Sequence, residues 1–309
     1  MGDTTWQTEP RSAGGSAGPP SRDRRAVTAS TVARERRNAL GSYLQARRAQ
    51  ITPQSAGIPP TGHRRVPGLR REEVALLAGI SVDYYLRLER GRDRNPSPQV
   101  LEALARVLQL DDEHRAHVAS LAQGSPRGSD RVHETPSPAA GLITLVDTMS
   151  QPAFLEDGAS DIVASNAAAR ALSPRLAPGG NQLRDVFLDP EEHALFPDWH
   201  DVTVCLVTGL RRAAPHALED QRLGALVAEL LQHSARFREL WARHDVRGQH
   251  GAPVRVDHPM AGLMTLHRER LAITGSEGLT LVILHAEPGS PDADRLSLLG
   301  REPAAVASR

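Results

Sequence analysis

The stretch Arg71-Glu-Glu-Val-Ala-Leu-Leu-Ala-Gly-Ile-Ser-Val-Asp-Tyr-Tyr-Leu-Arg-Leu-Glu-Arg-Gly91 decides the fold of the first half of the chain. Its apolar residues follow helical spacing on both sides of Gly79, which predicts two short helices joined by a tight turn. A helix-turn-helix lays its first helix across the DNA backbone and inserts the second into the major groove. An ordinary helical hairpin has the same pattern, so the flanking sequence must decide.

Three residues predict where these two helices end and begin. Gly79 suits the left-handed position that ends a helix, Ser81 is a good N-cap, and Asp83 lies in the first turn of the second helix. The side chains expected to face the core are Val74, Ala75, Leu77, Ala78, Tyr85 and Leu88.

The flanks predict further helices of the same small bundle. Residues 33–50 form an amphipathic pattern with Leu40, Tyr43 and Leu44 inward. The arginines expected on its outer side are Arg34, Arg36, Arg37, Arg47 and Arg48. Downstream, Ser97-Pro98 fits the N-cap and first position of another helix. Four or five short helices around one core form a bundle of the lambda-repressor type.

Charge separates the two halves of the chain. Residues 31–110 contain 14 arginines against 7 acidic residues, a net charge of +7, and residues 141–309 contain 16 arginines against 22 acidic residues, a net charge of −6. The overall neutrality therefore hides a basic module, as contact with DNA phosphates requires, and an acidic one.

These residues resemble a known family. Residues 68–91 resemble the helix-turn-helix of the Cro/repressor-type (XRE) class, and more narrowly that of the MmyB-like transcriptional regulators. The matching segments of the second half are Leu188-Asp-Pro, Phe196-Pro-Asp-Trp199, Leu240-Trp-Ala-Arg-His-Asp-Val246, His258-Pro, Leu263-Met-Thr-Leu266 and Ala286-Glu-Pro-Gly-Ser290. The resemblance covers residues 33–299 and implies a PAS-like domain that binds an apolar ligand such as a fatty acyl chain. Ser165-Asn166 departs from the family, which often has an aromatic residue before the asparagine.

The second half predicts an α+β domain. Two short strands (residues 152–155 and 161–164) precede helices over 166–172, 191–212, 218–233 and 234–244. Three more strands follow over 254–257, 262–268 and 279–285. We therefore expect a multidomain chain, an all-α helix-turn-helix bundle followed by a PAS-like antiparallel sheet with helices. The expected boundaries are a disordered tail (1–30), the DNA-binding domain (31–122), a linker (123–140), the ligand-binding domain (141–299) and a second tail (300–309).

The predicted DNA contacts lie on and after the second helix of the motif. Arg71 is expected on a phosphate, Arg87 on guanine, and Val82 on a thymine methyl. Asp83 has two interpretations, a contact to cytosine or a helix cap. The full predicted set is Arg71, Val82, Asp83, Tyr84, Arg87, Arg90, Arg92 and Arg94. The last three suit phosphates, and their alternative is a solvated basic loop. Glu89 is expected to pair with Arg47 or Arg48 as part of the scaffold.

The predicted ligand contacts are apolar residues, any one of which is more often plain core than a ligand contact. They are Phe154, Leu155, Ile162, Phe237, Leu240, Trp241, Leu266 and Ile283. Arg243 and His244 could hold a carboxylate or phosphate head group, or could instead cap a helix C-terminus.

Enzymatic function is not expected. The 13 histidines are scattered without metal-ligand spacing, and the chain has neither a nucleophile elbow nor a phosphate-binding glycine loop. We expect no catalytic residue, no metal, no cofactor beyond a bound apolar ligand, no membrane segment and a cytoplasmic location.

The sequence therefore predicts a sequence-specific transcriptional regulator that binds duplex DNA. Because one bundle reads only a few base pairs, we expect a homodimer on a two-fold operator. Its C-terminal domain would sense a small apolar ligand. The alternative is a C-terminal domain that only dimerises or binds another protein. A deep apolar cavity would favour sensing, and a solid core with a large exposed apolar face would favour the alternative.

Overall fold

The structure is a computed structural model that describes residues 35, 38–59, 64, 66–123, 138–213, 220–246, 253–276 and 278–299. The predicted tails (1–30 and 300–309) and most of the predicted linker (124–137) lie outside these residues. Within the described residues, the N-terminal domain contains five α-helices. They are α1 (Ala39–Gln50), α2 (Arg71–Ala78), α3 (Val82–Glu89), α4 (Pro98–Val107) and α5 (Asp112–Gln123).

The helix-turn-helix is formed by α2 and α3. Gly79 ends α2 in the left-handed conformation with φ 68°, and the Ser81 hydroxyl accepts from the Tyr84 amide at 3.1 Å to cap α3. Ser97 caps α4 in the same way, with Pro98 in the first turn. These predictions are confirmed. The fully buried side chains of this core are Tyr43, Leu44, Leu69, Val74, Tyr85, Leu88, Leu104 and Leu108.

Two details of the predicted bundle are wrong. The helix expected over residues 33–50 is interrupted at Asn38, whose backbone is not helical (φ −155°, ψ 60°) and whose side chain accepts from the Gly41 amide at 3.0 Å to start α1. Asn38 therefore acts as an N-cap. Leu77, expected in the core, is 44% exposed, because only Val74 and Ala75 of α2 are fully covered by the bundle.

A close helix contact sets the position of α3. Asn38 Nδ2 donates to the carbonyl of Glu89 at 2.7 Å, and a Cβ on Gly41 would lie 2.4 Å from that same carbonyl oxygen. Glycine at position 41 thus permits the start of α1 to approach the end of α3. This contact holds α3 against the bundle.

The C-terminal domain is built on one five-stranded antiparallel sheet of order β2-β1-β5-β4-β3. The strands are β1 (Ala153–Glu156), β2 (Ile162–Ser165), β3 (Val254–His258), β4 (Gly262–Ala272) and β5 (Thr280–His285). The described helices of this domain are α6 (Ala140–Thr148), α7 (Ala167–Leu172), α8 (Gln182–Leu188), α9 (Pro190–Leu195), α10 (Trp199–Ala213), α11 (Gln221–His233), α12 (Ala235–Arg243) and α13 (Pro291–Leu299). The expected α+β arrangement, with a helical middle between β2 and β3, is confirmed.

The single helix predicted over residues 191–212 is wrong. Helix α9 ends at Leu195 and α10 starts at Trp199. Pro197 lies in the break, where proline disfavours a helical preceding residue and supplies no amide donor. Helices α6, α8 and α13 were not predicted, and α6 packs on the outer face of β1 and β2. No helix among the described residues is long and apolar enough to cross a membrane.

Candidate DNA-binding surface and ligand cavity

The outer face of α3 is open to solvent. Val82 is 48% exposed, and the side chains of Asp83 and Arg87 are 76% and 45% exposed. On the opposite face Tyr85 and Leu88 are fully buried. The helix therefore presents its predicted base-reading residues outward while its apolar side anchors it.

Arg87 is held in position on this face. Its Nη1 pairs with the carboxylate of Asp83 one helical turn earlier, and its guanidinium lies 5.6 Å from the ring centroid of Tyr84. An i, i+4 pair and an aromatic contact both restrict an otherwise mobile side chain. Asp83 thus contacts Arg87. The two roles predicted for Asp83, a contact to cytosine and a helix cap, did not include this pair, although its spacing in the sequence allows it.

Glu89 connects the DNA-facing surface to the scaffold. Its carboxylate is 3% exposed and accepts from Arg48 Nε and Arg71 Nε, both at 2.6 Å. The predicted pairing with Arg48 is confirmed, and Arg48, expected outside, is buried because of it. Arg71 is 46% exposed, so the remainder of its guanidinium reaches the surface at the start of α2.

The basic segment after α3 is also on the surface. Arg90, Arg92 and Arg94 are exposed, and Arg94 Nε donates to the Gly91 carbonyl at 3.2 Å. Gly91 has φ +67°, which turns the chain away from the helix axis. This arrangement suits contact with phosphates, although the geometry alone also fits a solvated loop.

A cavity of about 50 Å³, partly continuous with solvent, lies between the inner face of the sheet and the helices. Its walls are mainly apolar side chains from β1, β3, β5, α8, α9 and α10. They are Phe154, Leu172, Leu176, Val186, Leu195, Phe196, Val202, Leu206, Val254, Val256 and Leu284. Apolar side chains thus form most of the wall, as they do in small-molecule sites.

Arg268 is a partly buried cation in the wall of this cavity. Its Nη2 donates to Gln182 Oε1 at 2.6 Å, whereas its Nε is buried and has no hydrogen-bond partner among the described residues. Burial lowers the pKa of Arg268 to about 10, against an opposing effect of Glu156. A cation with an unused donor in an apolar cavity attracts an anionic acceptor.

Two carboxyl groups also line the cavity. Burial raises the pKa of Glu192 despite the hydrogen bond that it accepts from the Ser173 hydroxyl, and burial likewise raises the pKa of Asp185. Arg175 lines the opening and pairs with Asp189 at 2.5 Å. The mostly apolar wall therefore carries the Arg268–Gln182 pair as well as these two carboxyl groups.

Among the predicted ligand contacts, only Phe154 lines this cavity. Ile162 and Leu266 belong to the adjoining core of the sheet. Phe237, Leu240 and Trp241 are in the helical core.

The other predicted ligand contacts lie farther away. Leu155 and Ile283 contribute to the packing on the opposite face of the sheet, below α6. Arg243 pairs with Asp245, and His244 contacts Glu35 of the N-terminal domain, so neither predicted head-group residue lines the cavity.

Sequence reasoning missed Arg268, although its signal was present. Met264 and Leu266 alternate along β4 on the inner, buried face, and Arg268 continues the same period of two. A charged residue on the apolar face of a strand is a candidate binding residue. Glu192 and Gln182 gave no such signal, because only the tertiary fold brings α8 and α9 beside β4.

Two family models match the chain. A helix-turn-helix domain model matches residues 21–118, and the MmyB-like transcription regulator ligand binding domain matches residues 138–299. Comparison with individual curated proteins found no match. Both matched families are regulatory rather than enzymatic, and within the described residues no group of three or more His, Cys, Asp or Glu side chains could hold a metal ion. With a helix-turn-helix followed by this ligand-binding domain, the chain belongs to the MmyB-like transcription regulators.

Proposed function

We propose that this DNA-binding regulator senses an amphipathic molecule with an apolar chain and an anionic head, such as a fatty acyl compound. The single observation that carries the proposal is Arg268, a partly buried cation at the wall of an apolar cavity, whose buried Nε donor has no acceptor among the described residues. An apolar chain would contact side chains such as Phe154 and Leu206, and the carboxylate would accept from Arg268. Binding of such a ligand would remove water from the apolar walls, and it would also give the buried Nε donor of Arg268 an acceptor.

The competing function is a C-terminal domain that only dimerises or binds a protein. The cavity favours sensing, because a domain used only for association would gain stability by filling such a space. Exposed apolar side chains do occur on this domain, including Leu145, Met260 and Leu271. These residues are scattered over α6 and two parts of the sheet region. They therefore fit an additional role in association better than a domain whose only function is association.

On DNA, we propose that the regulator reads a two-fold operator as a homodimer. Arg87, Val82 and Tyr84 would read bases, with Asp83 holding Arg87 in place. Arg71 and the arginines after α3 would contact phosphates. Because one recognition helix reads only a few base pairs, two copies on half-sites about 10 base pairs apart supply the necessary specificity.

A pair of ligands that differ only in the head group tests the sensing proposal. Myristate and tetradecanol share the same alkyl chain, and we expect the parent protein to prefer myristate. Arg268→Met should remove this preference by lowering myristate affinity about 10- to 100-fold, since a hydrogen bond to a charged group contributes about 1.5–3 kcal/mol. Isothermal titration calorimetry measures both affinities.

The matched control is Arg255→Met. Arg255 lies on β3 between the lining residues Val254 and Val256, points to the other face and pairs with Asp198 at 3.3 Å. This variant should bind both ligands as the parent does. Failure of the parent to bind either molecule would reject an apolar ligand of this kind, whereas equal binding of the two molecules by the parent would reject the role of Arg268.

A further inference from the structure

A buried ionic contact joins the two domains of the chain. Glu35, in the segment matched by the helix-turn-helix model, is 5% exposed. Its Oε2 accepts from Trp241 Nε1 at 2.8 Å, and its Oε1 lies 3.2 Å from His244 Nε2 and 3.9 Å from an Arg211 nitrogen. All three partners belong to the ligand-binding domain. We call Glu35, Arg211, Trp241 and His244 the interdomain joint.

The orientation of His244 follows from its neighbours. Arg211 Nη1 lies 3.1 Å from His244 Nδ1, and because a guanidinium can only donate, Nδ1 accepts and the ring proton is on Nε2, facing Glu35. Arg211 also donates to the Trp241 carbonyl at 2.5 Å and lies 3.8 Å from the Trp241 ring centroid. Each member of the joint is therefore fixed by at least two others.

The joint keeps Glu35 ionised although this residue is buried against the ligand-binding domain. Burial alone would raise the pKa of Glu35, but the hydrogen bond from His244 and the charge of Arg211 outweigh that effect and hold the pKa below its usual value. A buried ion pair is costly to break on one side only, because the remaining charge has lost its partner. The contact consequently favours two discrete states, closed or fully separated, over gradual loosening.

Contacts around the joint extend onto α1. Arg47 pairs with Asp245 at 3.2 Å, and Gln50 Nε2 donates to the Arg243 carbonyl at 2.6 Å. The ring of Tyr43, a fully buried residue of the bundle core, lies 6.4 Å from that of His244. The first helix of the DNA-binding domain is therefore held along the end of α12.

Two continuous paths connect the joint to the ligand cavity. Val202 and Leu206 line the cavity, and Arg211 lies on the same helix, α10, little more than one turn farther on. The second path starts at Val186, which lines the cavity beside Phe187. The rings of Phe187 and Phe237 are 5.2 Å apart, and those of Phe237 and Trp241 are stacked at 5.4 Å.

We propose that the interdomain joint transmits the state of the ligand cavity to the DNA-binding domain, with Glu35 as the residue through which the two domains are coupled. A change in α10 or α12 would displace Arg211 or Trp241, and Glu35 would carry the displacement into the bundle at α1. The cavity end of this inference rests on the proposed sensing function. Coupling between two sites is reciprocal, so DNA binding must also alter the ligand-binding domain.

This reciprocity permits a test that needs no ligand. The full-length chain is bound to a duplex selected by the protein itself from random sequences, and amide hydrogen exchange is measured with and without duplex. In the parent, duplex should slow exchange in α3 and also in the remote helices α10 and α12. In Glu35→Gln, which keeps the side-chain size and an acceptor for Trp241, the slowing in α3 should persist while the remote slowing disappears.

The matched control is Glu102→Gln on α4, where the carboxylate pairs with Arg115 on the surface at 2.9 Å. It should retain the full remote response. Asp245→Asn is the milder second variant, because it removes the charge that pairs with Arg47 and Arg243 while leaving Glu35 in place, and it should reduce the remote response even if Glu35→Gln does not fold. Absence of a remote response in the parent, or an unchanged response in a folded joint variant, would overturn the proposal.

A second arm separates this inference from the proposed ligand. Addition of myristate to the parent should change exchange around the cavity and also in α1, and Glu35→Gln should keep the first change and lose the second. If myristate changes nothing around the cavity, the proposed ligand class is wrong, and the duplex experiment still decides whether the joint couples the domains.

Discussion

Arg71 Nε donates to Glu89 Oε2 at 2.6 Å, which links the first residue of α2 to the last residue of α3. The arginine is 46% exposed and the carboxylate 3% exposed. Since Glu89 also accepts from the buried Arg48, the position of a predicted phosphate contact depends on the interior of the bundle. We therefore expect stability and DNA binding to be coupled at this one carboxylate.

Replacement of Glu89 should cost much of the stability of the N-terminal domain. Glu89→Ala leaves Arg48 buried without its carboxylate partner, so we expect a loss of about 3–5 kcal/mol in the free energy of unfolding. Glu102→Ala removes a surface pair and should cost at most about 1 kcal/mol. Urea denaturation followed by circular dichroism measures both, and similar losses in the two variants would contradict the role of Glu89.

Arg87 and Arg71 should affect DNA binding in different ways. Arg87→Ala should lower affinity for the preferred operator by about 1–3 kcal/mol and relax preference at one base position. Arg71→Ala should weaken binding to all duplexes almost equally and reduce the salt dependence by about one counterion. Arg115→Ala on α5 is a matched loss of charge away from this surface. Fluorescence anisotropy titrations over several salt concentrations distinguish the three, and parent-like behaviour of both Arg87→Ala and Arg71→Ala would show that α3 does not read DNA.

Phe237 should act through packing. It is fully buried and contacts Phe187 and Trp241, and it does not line the cavity. Phe237→Ala should therefore lower the free energy of unfolding of the ligand-binding domain by about 3–5 kcal/mol. Phe196 is half-buried and lines the cavity. Compared with Phe237→Ala, Phe196→Ala should therefore lower the free energy of unfolding less and lower the affinity for myristate more. Thermal unfolding of both variants with and without myristate measures the two effects. A smaller loss of stability in Phe237→Ala than in Phe196→Ala would contradict the packing role of Phe237.

Acid should open the interdomain joint. Because the folded-state pKa of Glu35 is below its usual value of 4.5, ionised Glu35 stabilises the folded state above that value and this contribution is lost as pH falls through the lowered pKa. The melting temperature of the parent should exceed that of Glu35→Gln at neutral pH. The difference should shrink once pH falls below 4.5, and other carboxylates such as Glu73 cancel in the comparison. A difference that stays constant into that acid range would contradict an ionised Glu35 in the joint.

Local patterns predicted the elements of the fold well where short-range chemistry decides. The turn at Gly79 and the caps at Ser81 and Ser97 depend on side chains within three residues, and all three were predicted correctly. The prediction failed where a local competitor was overlooked, as with the Asn38 cap and the break at Pro197. The succession along the chain of two strands, a helical middle and three strands was predicted from the alternation of apolar and polar residues together with the family resemblance.

The sequence by itself determined that a basic helix-turn-helix precedes an α+β domain, and which residues of α3 face outward, because helical periodicity and capping act over a few residues. Only the tertiary structure decided which apolar residues line a cavity, since Phe154 and Phe237 are equally apolar in the sequence and differ only in what surrounds them. The tertiary structure also brought Arg268 beside Gln182, which is 86 residues away in the sequence. It brought Glu35 beside Trp241, which is 206 residues away. Burial and charge pairing at such separations depend on the packing of whole elements, which a local pattern does not contain.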